Sequence, residues 1–167
     1  MAACSIRDAS PADVAAVAAI YNYYIAETTV SYEEELLSAT DMQKRVDAVQ
    51  AGGFPWLVAE QGGQVVGFCY GNRWNGRAAY RYTAEVSVYL DSQYTGQGLG
   101  ECLYKHLFSV LASQGIKTVI GGVSLPNPAS VALHEKMGMQ KVAHFSKVGY
   151  KFGQWLDVGY WQGTPDR

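Results

Sequence analysis

The chain has 167 residues, 49% of them hydrophobic and 17% charged, which suits one globular domain over residues 1–167 with a buried core. Its 13 Lys+Arg and 15 Asp+Glu leave a net charge of -2, so electrostatics give no reason to expect nucleic acid or an anionic membrane as partner. No apolar run approaches the roughly 20 residues that span a bilayer, and Met1-Ala2-Ala3-Cys4 leads into a strand pattern without a signal-peptide core; a cytoplasmic setting is the expectation.

A short strand is expected over residues 5–9, after which Ser10 and Pro11 supply an N-cap and a first helical proline. The helix that follows carries Val14, Val17, Ile20, Tyr21, Tyr24 and Ile25 on one face, and residues 27–32 form a turn rich in Thr and Ser. A second helix is expected from about Asp41 as its cap, with Met42, Val46 and Val49 facing inward and Gly52-Gly53 as the stop. Residues 54–60 and 64–72 read as strands joined through Gln61-Gly62-Gly63. Residues 73–81 break the periodicity, and residues 84–90 resume it as a strand containing Glu85.

Leu99, Leu103, Leu107 and Leu111 then recur every four residues, marking an amphipathic helix that Gly115 ends. Residues 117–123 are a buried-type strand, and Asn127-Pro128 opens a helix carrying Val131, Leu133, His134 and Met137, closed by Gly138. Residues 140–150 and 155–162 pair through Phe152-Gly153-Gln154. The order is mixed α/β of the α+β kind, and its neighbouring hairpins imply a partly antiparallel sheet. Cys4, Cys69 and Cys102 make no Cys-x-x-Cys pair, so neither a disulfide framework nor a metal site is expected, and Cys69 and Cys102 fall on core stripes.

The stretch with most chemical content is Thr95-Gly96-Gln97-Gly98-Leu99-Gly100, a glycine turn between a strand and a helix. Backbone N–H groups at a helix start lack intrahelical partners and lie at the positive end of the dipole, so an anion can settle there. No lysine follows until Lys105, which excludes a P-loop, and the Gly-x-Gly-x-Gly spacing misses the dinucleotide fingerprint. The turn instead resembles the acyl-CoA pyrophosphate loop of the Gcn5-related N-acetyltransferase (GNAT) superfamily, with Thr95 where that family has Arg or Gln. Within it, the chain is most similar to the phosphinothricin and methionine sulfoximine acetyltransferases, through Ile20-Tyr21-Asn22, the run from Ala79 to Tyr89, the run from Asn127 to Gly138, and the run from Lys151 to Val158.

This resemblance implies a mostly antiparallel sheet that splays at a bulge beside acetyl-CoA, with helices on both faces, and an amine acceptor of small-molecule size. It implies cofactor contacts from Val88, Tyr89, Leu90, Gly96, Gln97, Gly98, Leu99, Gly100, Glu101, Asn127 and Ser130. It also implies a homodimer, to which the aromatics Tyr150, Phe152, Trp155, Tyr160 and Trp161 of the last hairpin are candidates to contribute.

Amide formation from a thioester and an amine needs a base, because amines are mostly protonated near neutral pH. Glu85 matches the family's proposed base and lies on a strand whose burial would raise a carboxyl pKa. His134 stands where many members have a tyrosine that protonates the departing thiolate; it is read as that acid or as a partner of Glu85. For the acceptor, the candidates are Tyr32, Trp74, Arg77, Tyr80, Arg81 and Tyr82, with Arg77 and then Arg81 suited to a carboxylate or phosphinate. The expected activity is acetyl transfer to the α-amino group of a small amino acid or analogue by direct attack in a ternary complex, without a metal. Two alternatives stay open: another amine, such as a peptide N-terminus or polyamine, and a CoA-binding sensor without catalysis.

Overall fold

The computed structural model describes residues 4–166; Met1, Ala2, Ala3 and Arg167, and with them the reading of the N-terminal lead-in, lie outside the described residues. In chain order the elements are β1 (Cys4–Asp8), α1 (Val14–Glu27), α2 (Ala39–Ala51), β2 (Trp56–Gln61), β3 (Gln64–Arg73), β4 (Thr83–Leu90), α3 (Leu99–Ser113), β5 (Thr118–Leu125), α4 (Pro128–Lys136), β6 (Gln140–Lys151) and β7 (Gln154–Gly163). Single 3-10 turns lie at Pro11–Asp13, Ala78–Tyr80 and Ser92–Tyr94. The seven strands form one sheet in the order β1-β2-β3-β4-β5-β7-β6, and β4–β5 is its parallel pair. The expected mixed, mostly antiparallel class is observed.

Helices cover both faces. Alternation along each strand sends every second side chain to one layer. Val58 and Phe68 thus meet Val17, Ile25, Met42 and Val46 of α1 and α2, whereas Ala59, Val86 and Val123 meet Leu103, Leu107 and Leu111 of α3. On that second face Leu133 and Met137, on α4 and just beyond it, complete the layer.

Three expectations are corrected. The second helix is capped by Ser38, whose Oγ accepts the Asp41 N–H at 3.0 Å, so Asp41 sits in the first turn instead of capping it. The polar run before the apolar stripe hid this, since either residue type caps well. Cys69 is buried as expected, but Cys102 is half-exposed, because it lies a helical step away from the Leu99–Leu103–Leu107 stripe. Trp161 is a core residue at 2% exposure, and Tyr160 packs against Trp74, so neither joins the exposed aromatics of the last hairpin.

The start of α1 is tied to β1 by Arg7, which donates to both carboxylate oxygens of buried Asp13 at 2.7 and 2.9 Å and also to Glu60. Asp13 further accepts the Ser10 N–H and is held at a pKa of about 2, chiefly by Arg7. Because the folded pKa lies below the ordinary 3.8, this stabilisation is complete above 3.8 and fades as pH falls towards 2. Asp13→Asn should therefore cost about 1 kcal/mol at pH 7, with the gap to the parent closing at acid pH. Urea unfolding at pH 7 and pH 3 checks this.

Candidate active site

The two parallel strands stay together only briefly. β4 and β5 pair at Thr83–Thr118, Ala84–Val119 and Glu85–Ile120, and past that point they part. Each is held from outside: β4 stays in register with β3 to Leu90, and β5 stays on β7 to Leu125. The β4–β3 ladder is unbroken, so the fork forms without the bulge on β4 that the family resemblance implies. The edge of Val86–Leu90 that turned towards β5 is thereby left without a strand partner, and backbone groups so exposed suit an extended ligand. A cavity of about 50 Å³ occupies the fork, lined by Val88, Tyr89, Tyr104, Ser124, Ser130 and His134 among others. Leu90 is partly engaged already, its carbonyl accepting the Tyr24 hydroxyl.

Glu85 is the last paired residue of β4, at the vertex of the fork. It is half-buried, and burial alone raises its pKa above the ordinary carboxylate value. A carboxylate in that state is a better proton acceptor for an amine than one in water. Alternation places Glu85 on the α1/α2 face, with Ser87 and Tyr89, opposite to Ala84 and Val86.

His134 is 3% exposed and its ring nitrogens are both engaged. Nδ1–H donates to the Ser130 carbonyl at 2.7 Å, one turn back on α4, which leaves Nε2 as an acceptor for the Tyr104 hydroxyl at 3.1 Å. Burial lowers the imidazole pKa, so the neutral ring is favoured. The ring lies directly on Gly121 of β5, where a Cβ would come within 2.5 Å of Nε2. Tyr104 is a site residue the sequence reading missed; its hydroxyl stands on the apolar stripe of α3, and a polar atom at a core position was the available signal. Ser124 is a second, with a buried Oγ that has no hydrogen-bond partner among the described residues.

At the far end of the fork, Gly96 and Gly98 adopt φ of 73° and 80°, the left-handed region that favours glycine, and Gly98 caps α3. Gly100 serves differently: a Cβ there would sit 3.0 Å from Leu133, so its role is close packing of α3 on α4. The N–H groups that open α3, from Leu99, Gly100 and Glu101, are those a helix start leaves free. Glu101 bridges Lys105 at 2.7 Å and Lys136 at 2.5 Å. Two cations against one anion leave this end positive, in the same sense as the helix dipole. Asn127 caps α4 through Oδ1, which accepts the Ser130 N–H at 3.2 Å, and its amide N–H₂ stays available. Left-handed glycines, free amides, net positive charge and an unpaired strand edge fit an extended thioester cofactor whose arm leads to a diphosphate. Among the described residues no His/Cys/Asp/Glu group could hold a metal ion.

The acceptor side is walled by the loop between α1 and α2. Tyr32 lies on Gly149, where a Cβ would come within 2.5 Å of its ring, and its hydroxyl donates to the Asp157 carbonyl at 3.0 Å. Lys151, 2% exposed, donates to the Ser31 carbonyl at 2.7 Å. Glu33 accepts from the Tyr21 hydroxyl and from both Nη atoms of Arg45. Trp74 packs edge-on against Tyr160 at 5.8 Å. The Tyr160 hydroxyl is pushed up in pKa by burial first, then by the charges of Glu85 and Tyr32. Tyr80 and Tyr82 stand exposed on the rim, and Arg81 folds back to the Ala78 carbonyl at 3.0 Å and over the Tyr82 ring. Arg77 is exposed there too, with its backbone N–H on Asn75.

Known proteins share this arrangement. The sequence profile of the acetyltransferase (GNAT) domain matches residues 6–159. A phosphinothricin N-acetyltransferase of Streptomyces viridochromogenes is 41% identical over 94% of this chain and 85% of its own length. An L-methionine sulfoximine/L-methionine sulfone acetyltransferase of Salmonella typhimurium is 34% identical over 95% of this chain and 92% of its own. The crystal structure of a GNAT superfamily phosphinothricin acetyltransferase from Sinorhizobium meliloti in complex with AcCoA superposes with a TM-score of 0.93 at 30% identity, covering 96% of this chain and 88% of that one. The forked sheet, its glycine-capped helix and these likenesses agree: the chain belongs to the GNAT acetyltransferases and is an N-acetyltransferase.

Proposed function

We propose that this enzyme works in the cytoplasm as a homodimer, transferring acetyl from acetyl-CoA to the α-amino group of a small amino acid or analogue of the phosphinothricin, methionine sulfoximine or methionine sulfone type. The observation that carries the reading is a half-buried carboxylate, Glu85, raised in pKa by burial alone, at the vertex of the β4–β5 fork. The names of the relatives support the acceptor class, and the Sinorhizobium complex supports the donor.

Acetyl-CoA, when bound, supplies the acetyl group as a thioester that is exchanged for an amide. The amides of Gly96 to Glu101 hold its diphosphate, Asn127 and Ser130 face its arm, and the free edge at Val88, Tyr89 and Leu90 aligns the rest, with one N–H polarising the carbonyl. Glu85, on the acceptor face, takes the proton that the attacking amine loses, directly or through water. Burial pushes the Tyr104 hydroxyl well above its ordinary pKa, so it stays protonated, gives its hydrogen to His134 Nε2 and turns its oxygen to the fork. His134, with both nitrogens engaged, acts by holding that hydroxyl in place. Arg77 presents an open guanidinium to the acceptor's carboxylate, and Tyr32 with Trp74 closes the site above it.

The dimer reading is supported by the free edge of the sheet. β6 is an edge strand, and Val148, Tyr150, Phe152 and Trp155 around its end are each more than half exposed. Open strand edges flanked by apolar side chains are stable when a second copy covers them.

Glu85→Gln should lower the transfer rate at neutral pH by 10²- to 10⁴-fold, on the order expected for a lost general base, with acetyl-CoA affinity nearly unchanged. Because the Glu85 pKa is raised from the ordinary 4.5, the parent rate should climb with pH along a limb centred above 4.5, and the variant should lack that limb. Stopped-flow thiol release across pH checks both. Arg77→Ala should raise KM about tenfold for carboxylate-bearing amines, the worth of one charged hydrogen bond, and leave their amides unaffected; steady-state kinetics on acid and amide pairs measure it. Trp155→Glu should shift the protein to monomer in sedimentation velocity.

A further inference from the structure

The face of the sheet that carries Glu85 also holds a larger cavity, about 280 Å³, lying between α2 and the β2–β3 hairpin. Its floor is aromatic. Trp56 and Tyr70 oppose each other in register and stack at 4.2 Å, nearly parallel at 9°, and Phe68 stacks on Trp56 at 5.6 Å. Side chains standing up from a sheet with their faces together turn their edges to the layer above. Ring edges carry the positive end of the aromatic quadrupole and favour the face of another ring laid across them. Trp56, 3% exposed, adds a buried Nε1–H with no hydrogen-bond partner among the described residues, a donor suited to a π face.

The roof is Met42 and Ala48 of α2, and a thioether over an aromatic guest is a favourable contact. A dry cavity of about 150 Å³ accepts benzene, so this one has room for a six-membered ring and its linker. Arg45 reaches the rim, but its guanidinium is held by Glu33 at 2.9 and 2.5 Å, so no free cation is offered here to a carboxylate. The cavity connects to the chemistry through register. Asn72, on its rim, lies opposite Glu85, and Tyr70 lies opposite Ser87, all on the α1/α2 face. Cross-strand neighbours stand about 5 Å apart, within reach of a side chain whose α-amino group is at Glu85.

We propose that this cavity is a side-chain subsite of the amine acceptor that extends the acceptor range beyond the small analogues above to an aromatic α-amino acid, which it favours over one without a side chain to fill it. The inference rests on the transferase reading above, which assigns the amine to Glu85. It is tested with L-phenylalanine and L-alanine, which share the amine and carboxylate and differ only in the ring, using acetyl-CoA and thiol release. The parent should favour phenylalanine in kcat/KM by on the order of tenfold or more. Ala48→Phe, at an exposed position of α2 that lines the cavity, should cancel that preference, lowering phenylalanine turnover at least tenfold and leaving alanine turnover within about twofold. The unchanged alanine rate also reports that the variant is folded. Equal effects on both acceptors, no effect on either, or turnover of other amines but not phenylalanine would overturn the subsite and leave the transferase standing. Thiol release with no amine at all would overturn the transferase reading and the subsite together.

Discussion

Everything in this molecule is arranged around two neighbouring strands that stop pairing halfway along. β4 and β5 share three residue pairs and then diverge, while β3 and β7 keep each of them straight. A gap inside a sheet leaves backbone N–H and C=O groups without partners, and such groups are costly when dry. The fold tolerates the gap because its walls are strands anchored on their outer edges, and because a ligand with a peptide-like backbone can complete the pairing. Tyr104 and His134 occupy the base of the opening, and glycine at position 121 lets the imidazole lie flat on β5. The pair fills the space between the parted strands, and both residues line the cavity in the fork.

The two faces of the sheet divide the work. On the α3/α4 side, a left-handed glycine cap, unpaired amides and the Lys105–Glu101–Lys136 cluster gather positive potential for an anion. On the α1/α2 side, Glu85 stands half-buried opposite Asn72 of β3, with its pKa raised by burial. The fork lies between these environments, so in the function proposed above donor and acceptor approach from opposite faces and meet at Glu85. Rigidity at that meeting point comes from distant partners: Lys151 and Gly149 of the last hairpin hold Ser31 and Tyr32, and Arg45 holds Glu33. Such preorganisation matters because misplacing a reacting group by about 1 Å can cost two orders of magnitude in rate.

Local features were legible in the residues themselves. Periodicity located the strands and helices to within a few residues, the glycine spacing marked a helix start suited to an anion, and the family resemblance pointed to Glu85 on the strand before it. The misreadings share one cause. Asp41 against Ser38 as a cap, Cys102 as core, and Tyr160 with Trp161 as interface aromatics each depend on which neighbour a side chain meets, and residue type alone does not encode that. Gly100 reads like its two neighbours, yet its reason is Leu133, 33 residues away in the chain.

What the sequence by itself determined was the set of elements and the glycine turn that opens α3, and it singled out Glu85 as the candidate base, because those follow from short-range pattern and from matching motifs. The tertiary structure alone decided that β4 and β5 part immediately after Glu85, that burial favours neutral His134 while Ser130 and Tyr104 engage its two nitrogens, and that an aromatic-floored cavity opens on the face that carries Glu85. These are facts about pairs of groups brought together across tens of residues, and their energies arise from burial and geometry that exist only once the sheet has closed around them.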